Sequence, residues 1–393
     1  MKFHRLKILL TIAIVIAAAA FVHSRSTQAP RVPQIELLRT PGGGIQPQTA
    51  VDSGGVLHMI YFTGDASAGN IEYVRRAPGN SAFSKPIRVN SQPASALAVG
   101  TVRGPQMAVG ADGQVDVVWF GSSKATPKGP DNSTPLLFSR LDASGTAFTP
   151  QRNLVQYAKG LDGGLSVAAD KKSNVYVVWH ATGTTPGEAH RRVYLARSAD
   201  GGRTFAREVA VSPAALGACG CCGMRAFVDG SGALFVLYRA AAEDIHRNMT
   251  LLVSTDSGRT FRASEVSAWQ LNACPMSTAY LGEGGQRVLA AWEKAGEVYF
   301  DRINPATFQL SSSFAAPGQS NDRKHPAVAA NSQGQVLLAW TEGTGWKKGG
   351  SLAWQLYDQS GRPLGTAGHA LGVPVWGLPS IYTTPNGNFT IVY

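Results

Sequence analysis

The chain has 393 residues, of which 44% are hydrophobic, 16% are charged, 44 are glycine and 22 are proline. This composition suits many short strands joined by tight turns and excludes long, charged helices. The formal net charge is +11, but no basic run is interleaved with aromatic residues, so the sequence excludes nucleic acid as a partner.

The first 29 residues predict an export signal. Lys2, Arg5 and Lys7 give a positive start, and the uncharged apolar run Ile8–Val22 follows. The run is shorter than the ~20 residues that span a bilayer, so a cleaved signal peptide is preferred and an uncleaved N-terminal anchor is the alternative. Residues 30–393 then form one domain, which is periplasmic or secreted. Removing residues 1–29, with four basic residues and no acid, leaves a net charge of +7, which suits an anionic ligand or simply a soluble surface.

A pair of strands recurs seven times through residues 30–393. In each copy a short strand is followed by a glycine-containing turn and by an apolar strand that ends near an aromatic residue. These aromatic residues are Tyr61, Trp119, Trp179, Tyr238, Trp292, Trp340 and Tyr393. A third and a fourth strand follow in most copies, and four antiparallel strands repeated at this spacing are typical of a β-propeller blade.

The two ends of the chain bear on the number of blades. The last copy stops at Tyr393 without its outer strands, and Ile35–Thr40 near the other end can add one strand to it. Seven blades in a closed ring are therefore favoured, and six blades with a surplus hairpin are the alternative. Either ring is an all-β fold, and we expect a monomer.

Two copies of one motif follow predicted third strands. Residues 198–205 read Ser-Ala-Asp-Gly-Gly-Arg-Thr-Phe, and residues 254–261 read Ser-Thr-Asp-Ser-Gly-Arg-Thr-Phe. The aspartates can accept hydrogen bonds from turn amides, the glycines permit positive φ, and the phenylalanines can pack between sheets. The motif residues are Ser198, Asp200, Gly202, Thr204, Phe205, Ser254, Asp256, Gly258, Thr260 and Phe261.

This Ser-x-Asp-x-Gly-x-Thr-Phe pattern resembles the Asp-box of the sialidase, or BNR-repeat, superfamily. The resemblance implies a sialidase-like β-propeller in which these turns are structural and lie on the face away from the active site. It also implies a substrate carboxylate clamped by three arginines, an aspartate as acid/base, and a tyrosine nucleophile assisted by a glutamate. The planar guanidinium fork suits such a clamp because it pairs bidentately with a carboxylate.

Candidate site residues lie on the opposite rim, in the connections between blades and between second and third strands. Arg103, Arg225 and Arg323 stand at first strands and are the candidates for the clamp. Asp65 is the candidate acid, and Glu293 is the candidate partner of a tyrosine. Further candidate ligand-binding residues on this rim are Arg239, His246 and Arg247. The family's Arg-Ile-Pro motif is absent from the first blade, where residues 46–48 read Gln-Pro-Gln.

The four cysteines fall in two neighbouring connections, with Cys219, Cys221 and Cys222 in one and Cys274 in the next. Both connections precede first strands, so we expect the cysteines to meet on the rim between the fourth and fifth blades. An even number in an exported protein predicts disulfides. Because adjacent cysteines pair badly, Cys274 should bond to one of the other three, and Cys219 and Cys222 can then pair. The alternatives are a Zn²⁺ or Cu⁺ site built from these thiolates with His246 or His325, and a redox pair.

Three functions follow from these patterns. A non-catalytic propeller that binds an acidic glycan or a periplasmic protein in its central pocket requires the fewest assumptions and is preferred. The alternative is a sialidase-type exo-glycosidase that acts on acidic sugars with paired carboxylates. A metal- or redox-linked propeller that uses the cysteines is the third hypothesis. No cofactor is expected for the first two.

Overall fold

The computed structural model describes residues 32–393 except residues 111, 112, 184, 286, 311 and 321. The predicted export segment, residues 1–29, lies outside the described residues. Within the described part of the chain no helix is long and apolar enough to cross a membrane. Residues Ile35–Tyr393 belong to one structural unit, and the following description concerns that unit.

The described residues form 27 short strands, most of them rich in β-branched and aromatic side chains. In chain order the strands are β1 (Ile35–Leu38), β2 (Ile45–Val51), β3 (Leu57–Asp65), β4 (Ala68–Arg76), β5 (Ile87–Arg88), β6 (Gln106–Val109), β7 (Val115–Phe120), β8 (Leu136–Arg140), β9 (Arg152–Asn153), β10 (Leu165–Ala169), β11 (Val175–Ala181), β12 (Arg192–Ser198), β13 (Val209–Ala210), β14 (Arg225–Val228), β15 (Leu234–Arg239), β16 (Met249–Ser254), β17 (Arg262–Ser267), β18 (Ala279–Gly284), β19 (Arg287–Lys294), β20 (Glu297–Ile303), β21 (Phe314–Ala315), β22 (Arg323–Ala330), β23 (Val336–Glu342), β24 (Gly350–Tyr357), β25 (Pro363–Val373), β26 (Ser380–Thr383) and β27 (Phe389–Val392). Short 3₁₀ turns occur at Pro41–Gly43, Pro130–Asn132, Glu188–His190 and Ala214–Leu216.

The strands of the described residues make seven small sheets, which are the blades of a β-propeller. Blades 1 to 6 each contain four consecutive antiparallel strands, from β2–β5 in blade 1 to β22–β25 in blade 6. Blade 7 contains three strands in the order β1, β27, β26. The predicted all-β, seven-bladed fold is therefore confirmed, and the six-bladed alternative is wrong.

Blade 7 closes the ring by joining the two ends of the described chain. Strand β1 lies parallel to β27, with Ile35 opposite Phe389 and Leu38 opposite Val392. The Tyr393 N–H donates to the Leu38 carbonyl at 3.0 Å, and the Thr40 N–H donates to the Tyr393 carbonyl at 3.0 Å. The predicted closing strand is thus confirmed. Blade 7 combines a parallel pair with an antiparallel pair of strands, so this blade departs from the four antiparallel strands expected of every blade.

The hydrophobic core lies between adjacent blades. Trp119, Trp179 and Trp292, at the ends of second strands, have side chains at most 1% exposed. Trp179 of blade 3 packs in one cluster with Phe138 of blade 2, and equivalent clusters join the other neighbours. A single blade cannot bury both of its faces, so each blade depends on the next for its apolar contacts.

The two Asp motifs form matching turns between third and fourth strands. Oγ of Ser254 donates to Oδ1 of Asp256 at 2.7 Å, and the N–H and hydroxyl of Thr260 donate to the same carboxylate at 2.9 and 2.6 Å. The turn at Asp200 repeats these contacts. Hydrogen bonds from the threonine side chains hold the pKa of both aspartates well below the ordinary value. These contacts account for the motif as a turn-forming element.

The ends of the blades form two rims. The Asp-turn rim carries the connections between first and second strands and between third and fourth strands. The cysteine rim carries the connections from second to third strands and from one blade to the next. All four cysteines lie in connections of the cysteine rim, three of them before β14 and Cys274 before β18.

Candidate functional site

A central cavity of about 520 Å³, including the part open to solvent, lies where the first strands of the blades converge. The cavity is lined by Pro47, Gln48, Thr101, Val102, Gln106, Leu165, Gly223, Met224, Arg225, Thr278, Ala279, Tyr280, His325, Pro326, Leu378, Pro379 and Ser380.

Five lining residues occupy equivalent positions in their blades. Each lies opposite the second-strand residue that precedes the recurring aromatic residue, as Arg225 lies opposite Leu237 in blade 4. The five are Gln48, Gln106, Arg225, Tyr280 and Ser380. Strand register therefore brings these side chains to one depth in the cavity.

Arg225 is the cation of the central cavity. Its guanidinium donates to Oε1 of Gln106 at 2.7 Å and lies 4.9 Å from the centre of the Tyr280 ring. Within the described residues no carboxylate lies within ion-pair distance of it. Burial lowers the pKa of Arg225 below its ordinary value, although a guanidinium stays protonated in proteins. A cation with most of its five donors unused is a site for an anionic group.

His325 adds a neutral imidazole to the same cavity. It is 5% exposed, and burial, reinforced by Lys324, lowers the pKa of its ring to about 3. Its Nδ1 lies 3.3 Å from the Thr278 hydroxyl. Because the ring is uncharged near neutral pH, it can exchange hydrogen bonds with a ligand hydroxyl without adding a second charge.

The lining residues in the described part of the chain include no aspartate or glutamate. Glycoside hydrolysis in most families requires two carboxyl groups that flank the bond to be broken. The cavity therefore supplies a counter-ion and hydrogen-bonding groups for a ligand, but no pair of carboxyl groups for that chemistry.

The structure does not assemble the predicted three-arginine clamp in this cavity, because two of the three arginines pair with acids. The Arg103 guanidinium forms an ion pair with Asp162. Arg323 pairs with Glu297 at 2.9 Å and with Glu342 at 3.3 Å. These paired arginines tie connections and strands together, and only Arg225 of the predicted three lines the cavity.

The two predicted catalytic carboxylates also lie outside the cavity lining. Asp65 ends β3, is exposed, and accepts hydrogen bonds from the amide and hydroxyl of Ser67. These hydrogen bonds lower the pKa of Asp65, which is the opposite of what a general acid needs. Glu293 is 1% exposed and lies 3.8 Å from the Arg239 guanidinium. The positions of Asp65 and Glu293 thus favour roles in a turn and in a buried ion pair.

An exposed aromatic residue stands beside the cavity on the cysteine rim. Trp346 is 55% exposed and contacts the ring of Trp376 edge-to-face, with centroids 4.7 Å apart. The Trp346 ring also lies against Gly100, the residue before the lining residues Thr101 and Val102. A large exposed indole at this position can stack on the apolar face of a sugar.

The cysteine rim carries one disulfide, between Cys221 and Cys274. This bond agrees with the expectation that Cys274 joins one of the three upstream cysteines. Cys219 and Cys222 are free and buried, and their Sγ atoms lie 2.8 Å apart. Residues 219–222 have Cys-x-x-Cys spacing, but the disulfide expected between Cys219 and Cys222 is not formed in this structure.

Charged side chains surround these sulfur atoms. Arg239 is 2% exposed, stacks on Trp269 and donates to the carbonyls of Arg247 and Glu293. Arg247 pairs with Glu188. These two predicted ligand-binding arginines therefore belong to the surroundings of the cysteines and do not line the central cavity.

The predicted metal site, built from cysteines with His246 or His325, is assembled only in part. His246 lies 3.6 Å from the carboxylate of Glu243. The grouping of possible metal ligands in the described residues is Cys219, Cys221 and Cys222, whose sulfur atoms lie within 4.8 Å of one another, and it includes neither His246 nor His325. Because Cys221 is in a disulfide, only two of these sulfurs can act as thiolates in this state.

Comparisons with known proteins bear on the fold. No protein-family profile matches the sequence, and no curated protein matches it. Among solved structures, a Hadza microbial sialidase superposes with a TM-score of 0.50 at 14% identity, covering 79% of this chain and 68% of that one. An α-L-arabinanase of Penicillium chrysogenum, complexed with arabinobiose, superposes with a TM-score of 0.50 at 12% identity, covering 84% and 98%. An α-L-arabinofuranosidase of Fusarium graminearum superposes with a TM-score of 0.51 at 12% identity, covering 84% of this chain and 98% of that one.

The fold is that of a sialidase-like propeller. At these identities the similarity concerns the fold alone.

A second cavity of this sialidase-like propeller, of about 590 Å³ including open solvent, lies on the Asp-turn rim between blades 2 and 3. It is lined in part by Asp116, Arg140 and Gly201. Asp116 is 0% exposed, and its two carboxylate oxygens have no hydrogen-bond partner among the described residues. Burial raises the pKa of Asp116 to about 8, against the lowering effect of Arg140 and Arg152. The sequence offers no local signal for this carboxyl, which lies within an apolar strand.

We predict that Asp116→Asn stabilises the protein increasingly as the pH rises. The folded pKa lies above the ordinary 3.8, so the folded protein holds a proton that the unfolded chain releases, and stability of the native chain falls between about pH 4 and about pH 8. Removing this group should raise the free energy of unfolding near pH 8 by on the order of 5 kcal/mol, since each pKa unit corresponds to about 1.4 kcal/mol. Urea unfolding measures this change. Equal effects at both ends of the range would contradict the prediction.

Proposed function

We propose that this propeller binds an acidic sugar in its central cavity, through the sugar carboxylate, and does not hydrolyse it. The observation that carries the proposal is the Arg225 guanidinium, which has no carboxylate partner among the described residues and faces a cavity lined without acids. A partly buried cation without a counter-ion is unfavourable in the empty protein. A ligand carboxylate relieves that cost and gains bidentate hydrogen bonds.

The other cavity groups suit the rest of a sugar. Tyr280, His325 and Thr278 present an aromatic face, an imidazole and a hydroxyl, and Trp346 offers an exposed ring near the entrance. Sugars combine hydroxyl groups with apolar C–H faces, so this mixture of polar and aromatic groups is complementary to them. The sialidase and arabinan-degrading enzymes of similar fold act on sugars by their names, which makes a glycan a reasonable ligand here.

The proposal is tested by calorimetric titration of the purified protein with galacturonic acid, N-acetylneuraminic acid, the methyl ester of galacturonic acid and galactose. We expect heat of binding for at least one of the two acids and none for the ester or galactose, because the ester keeps the shape and lacks the charge. Equal binding of the acid and its ester would contradict a role for the carboxylate.

A fluorogenic sialoside and a fluorogenic galacturonide should give no protein-dependent release of the fluorophore across acidic to neutral pH. Turnover of either would replace the binding proposal with a hydrolase.

A further inference from the structure

The four cysteines form two layers on the cysteine rim. The outer pair is Cys221 and Cys274, which are bonded to each other, and Cys274 is exposed. The inner pair is Cys219 and Cys222, which are 1% and 2% exposed. External reagents can therefore reach the outer pair, at Cys274, while the inner pair is shielded.

The sulfur atoms of the two layers are within reach of each other. Sγ of Cys219 lies 3.5 Å from Sγ of Cys221 and 2.8 Å from Sγ of Cys222. Disulfide exchange proceeds by attack of a thiolate on a disulfide sulfur, through a mixed disulfide. Cys219 is thus adjacent both to its inner partner and to the outer disulfide.

Local charge favours one of the inner thiols as a leaving group. Burial opposes ionisation of Cys222, but the hydrogen bond from Cys219 and the charge of Arg239 outweigh it and lower the pKa of the Cys222 thiol. The same hydrogen bond, together with burial, raises the pKa of Cys219. A thiol of lower pKa leaves faster in disulfide exchange, so Cys222 is suited to be displaced from Cys219.

We propose that the cysteines form a two-layer disulfide relay, in which an external dithiol reduces a buried Cys219–Cys222 disulfide by way of the exposed Cys221–Cys274 disulfide. The reactant is a dithiol, and the inner disulfide is the electron acceptor. The structure described above, with the outer disulfide closed and the inner pair as thiols, corresponds to the product state of this relay.

The steps balance in atoms and electrons. A thiolate of the external dithiol attacks Sγ of Cys274 and releases Cys221 as a thiolate. Cys221 attacks Sγ of Cys219 and releases Cys222. The second thiol of the reagent then displaces Cys274, leaving the reagent as its own disulfide, and Cys274 attacks Sγ of Cys221 and releases Cys219. The external dithiol loses two electrons and two protons, and the inner pair gains two electrons and two protons as its thiolates are protonated.

The relay is tested with dithiothreitol on protein that has first been fully oxidised with diamide. One molar equivalent is added, the reaction is quenched with acid, free thiols are alkylated, and peptides are mapped by mass spectrometry. We expect alkylation mainly at Cys219 and Cys222, although Cys274 is the exposed sulfur. Alkylation mainly at Cys221 and Cys274, or failure of diamide to close the inner disulfide, would overturn the proposal.

Two double variants separate relay from direct attack. In Cys221→Ser/Cys274→Ser the inner disulfide should be reduced at least about tenfold more slowly than in the native chain, because the accessible route is lost. In Cys219→Ser/Cys222→Ser the outer disulfide should be reduced at the native initial rate, since the first attack falls on Cys274. An unchanged rate in the first variant would overturn the relay. Near-ultraviolet circular dichroism checks that each variant is folded, and the mapping of the native chain stands even if one is not.

Discussion

Replacing the closing strand β1 with glycine, from Ile35→Gly to Leu38→Gly, is expected to lower the free energy of unfolding by roughly 4–8 kcal/mol. Glycine in a strand costs about 0.5–1 kcal/mol at each position, and the apolar side chains of Ile35 and Leu38, which pack on the buried clusters beside blade 7, add the remainder. Total stability of a domain is typically about 5–15 kcal/mol. The variant should therefore unfold at much lower urea concentration, as measured by tryptophan fluorescence.

A matched control replaces four residues of an outer strand instead. Residues 262–265 of β17 in blade 4 are mostly exposed, so their replacement by glycine should cost roughly 2–4 kcal/mol from the backbone alone. The closing strand is thus expected to cost clearly more than an outer strand of equal length. Equal losses in the two variants would contradict closure of the ring through β1 and β27.

Arg225→Gln is expected to weaken binding of the acidic sugar by on the order of 100-fold, because a bidentate, charge-assisted contact is lost. The same variant should be as stable as the native protein or more stable, since it removes a cation that lacks a counter-ion among the described residues. Calorimetric titration and urea unfolding of one preparation measure both effects. A variant that binds normally, or that is strongly destabilised, would contradict the assignment of Arg225 as a ligand-binding residue.

Arg323→Gln is the control for this prediction. Arg323 is 7% exposed and pairs with Glu297 and Glu342, so its loss leaves two carboxylates near each other without their cation. This variant should lose stability by roughly 3–5 kcal/mol while the folded fraction keeps its affinity for the sugar. The two arginines should therefore show opposite patterns, one affecting binding and the other folding.

The blade pattern could be predicted from the sequence because each second strand carries its own local signal. An apolar, β-branched run that ends near an aromatic residue, as at Trp119 or Trp179, defines a strand buried on both faces. The closing strand was predicted at Ile35–Thr40, two residues longer than the observed β1. Its parallel direction was not, because no turn links β1 to β27 and only the assembled ring brings them together.

The arginine site was harder to predict, since the counter-ions are distant in sequence. Asp162 lies 59 residues from Arg103, and no local pattern shows that these two pair while Arg225 lacks such a partner. Counting the same number of residues back from Trp119 and from Tyr238 would have helped, because it finds Gln106 and Arg225, which lie at one depth in the cavity. Asp65 carried a local signal that was missed, as a serine two residues later commonly closes a turn onto an aspartate.

The most direct test of the binding account is a crystal structure of the protein with a methyl sialoside or a methyl galacturonide. We expect an intact glycoside in the central cavity, with its carboxylate hydrogen-bonded to both terminal nitrogens of the Arg225 guanidinium. A glycoside bound elsewhere on the propeller, or a cleaved sugar in the cavity, would contradict it.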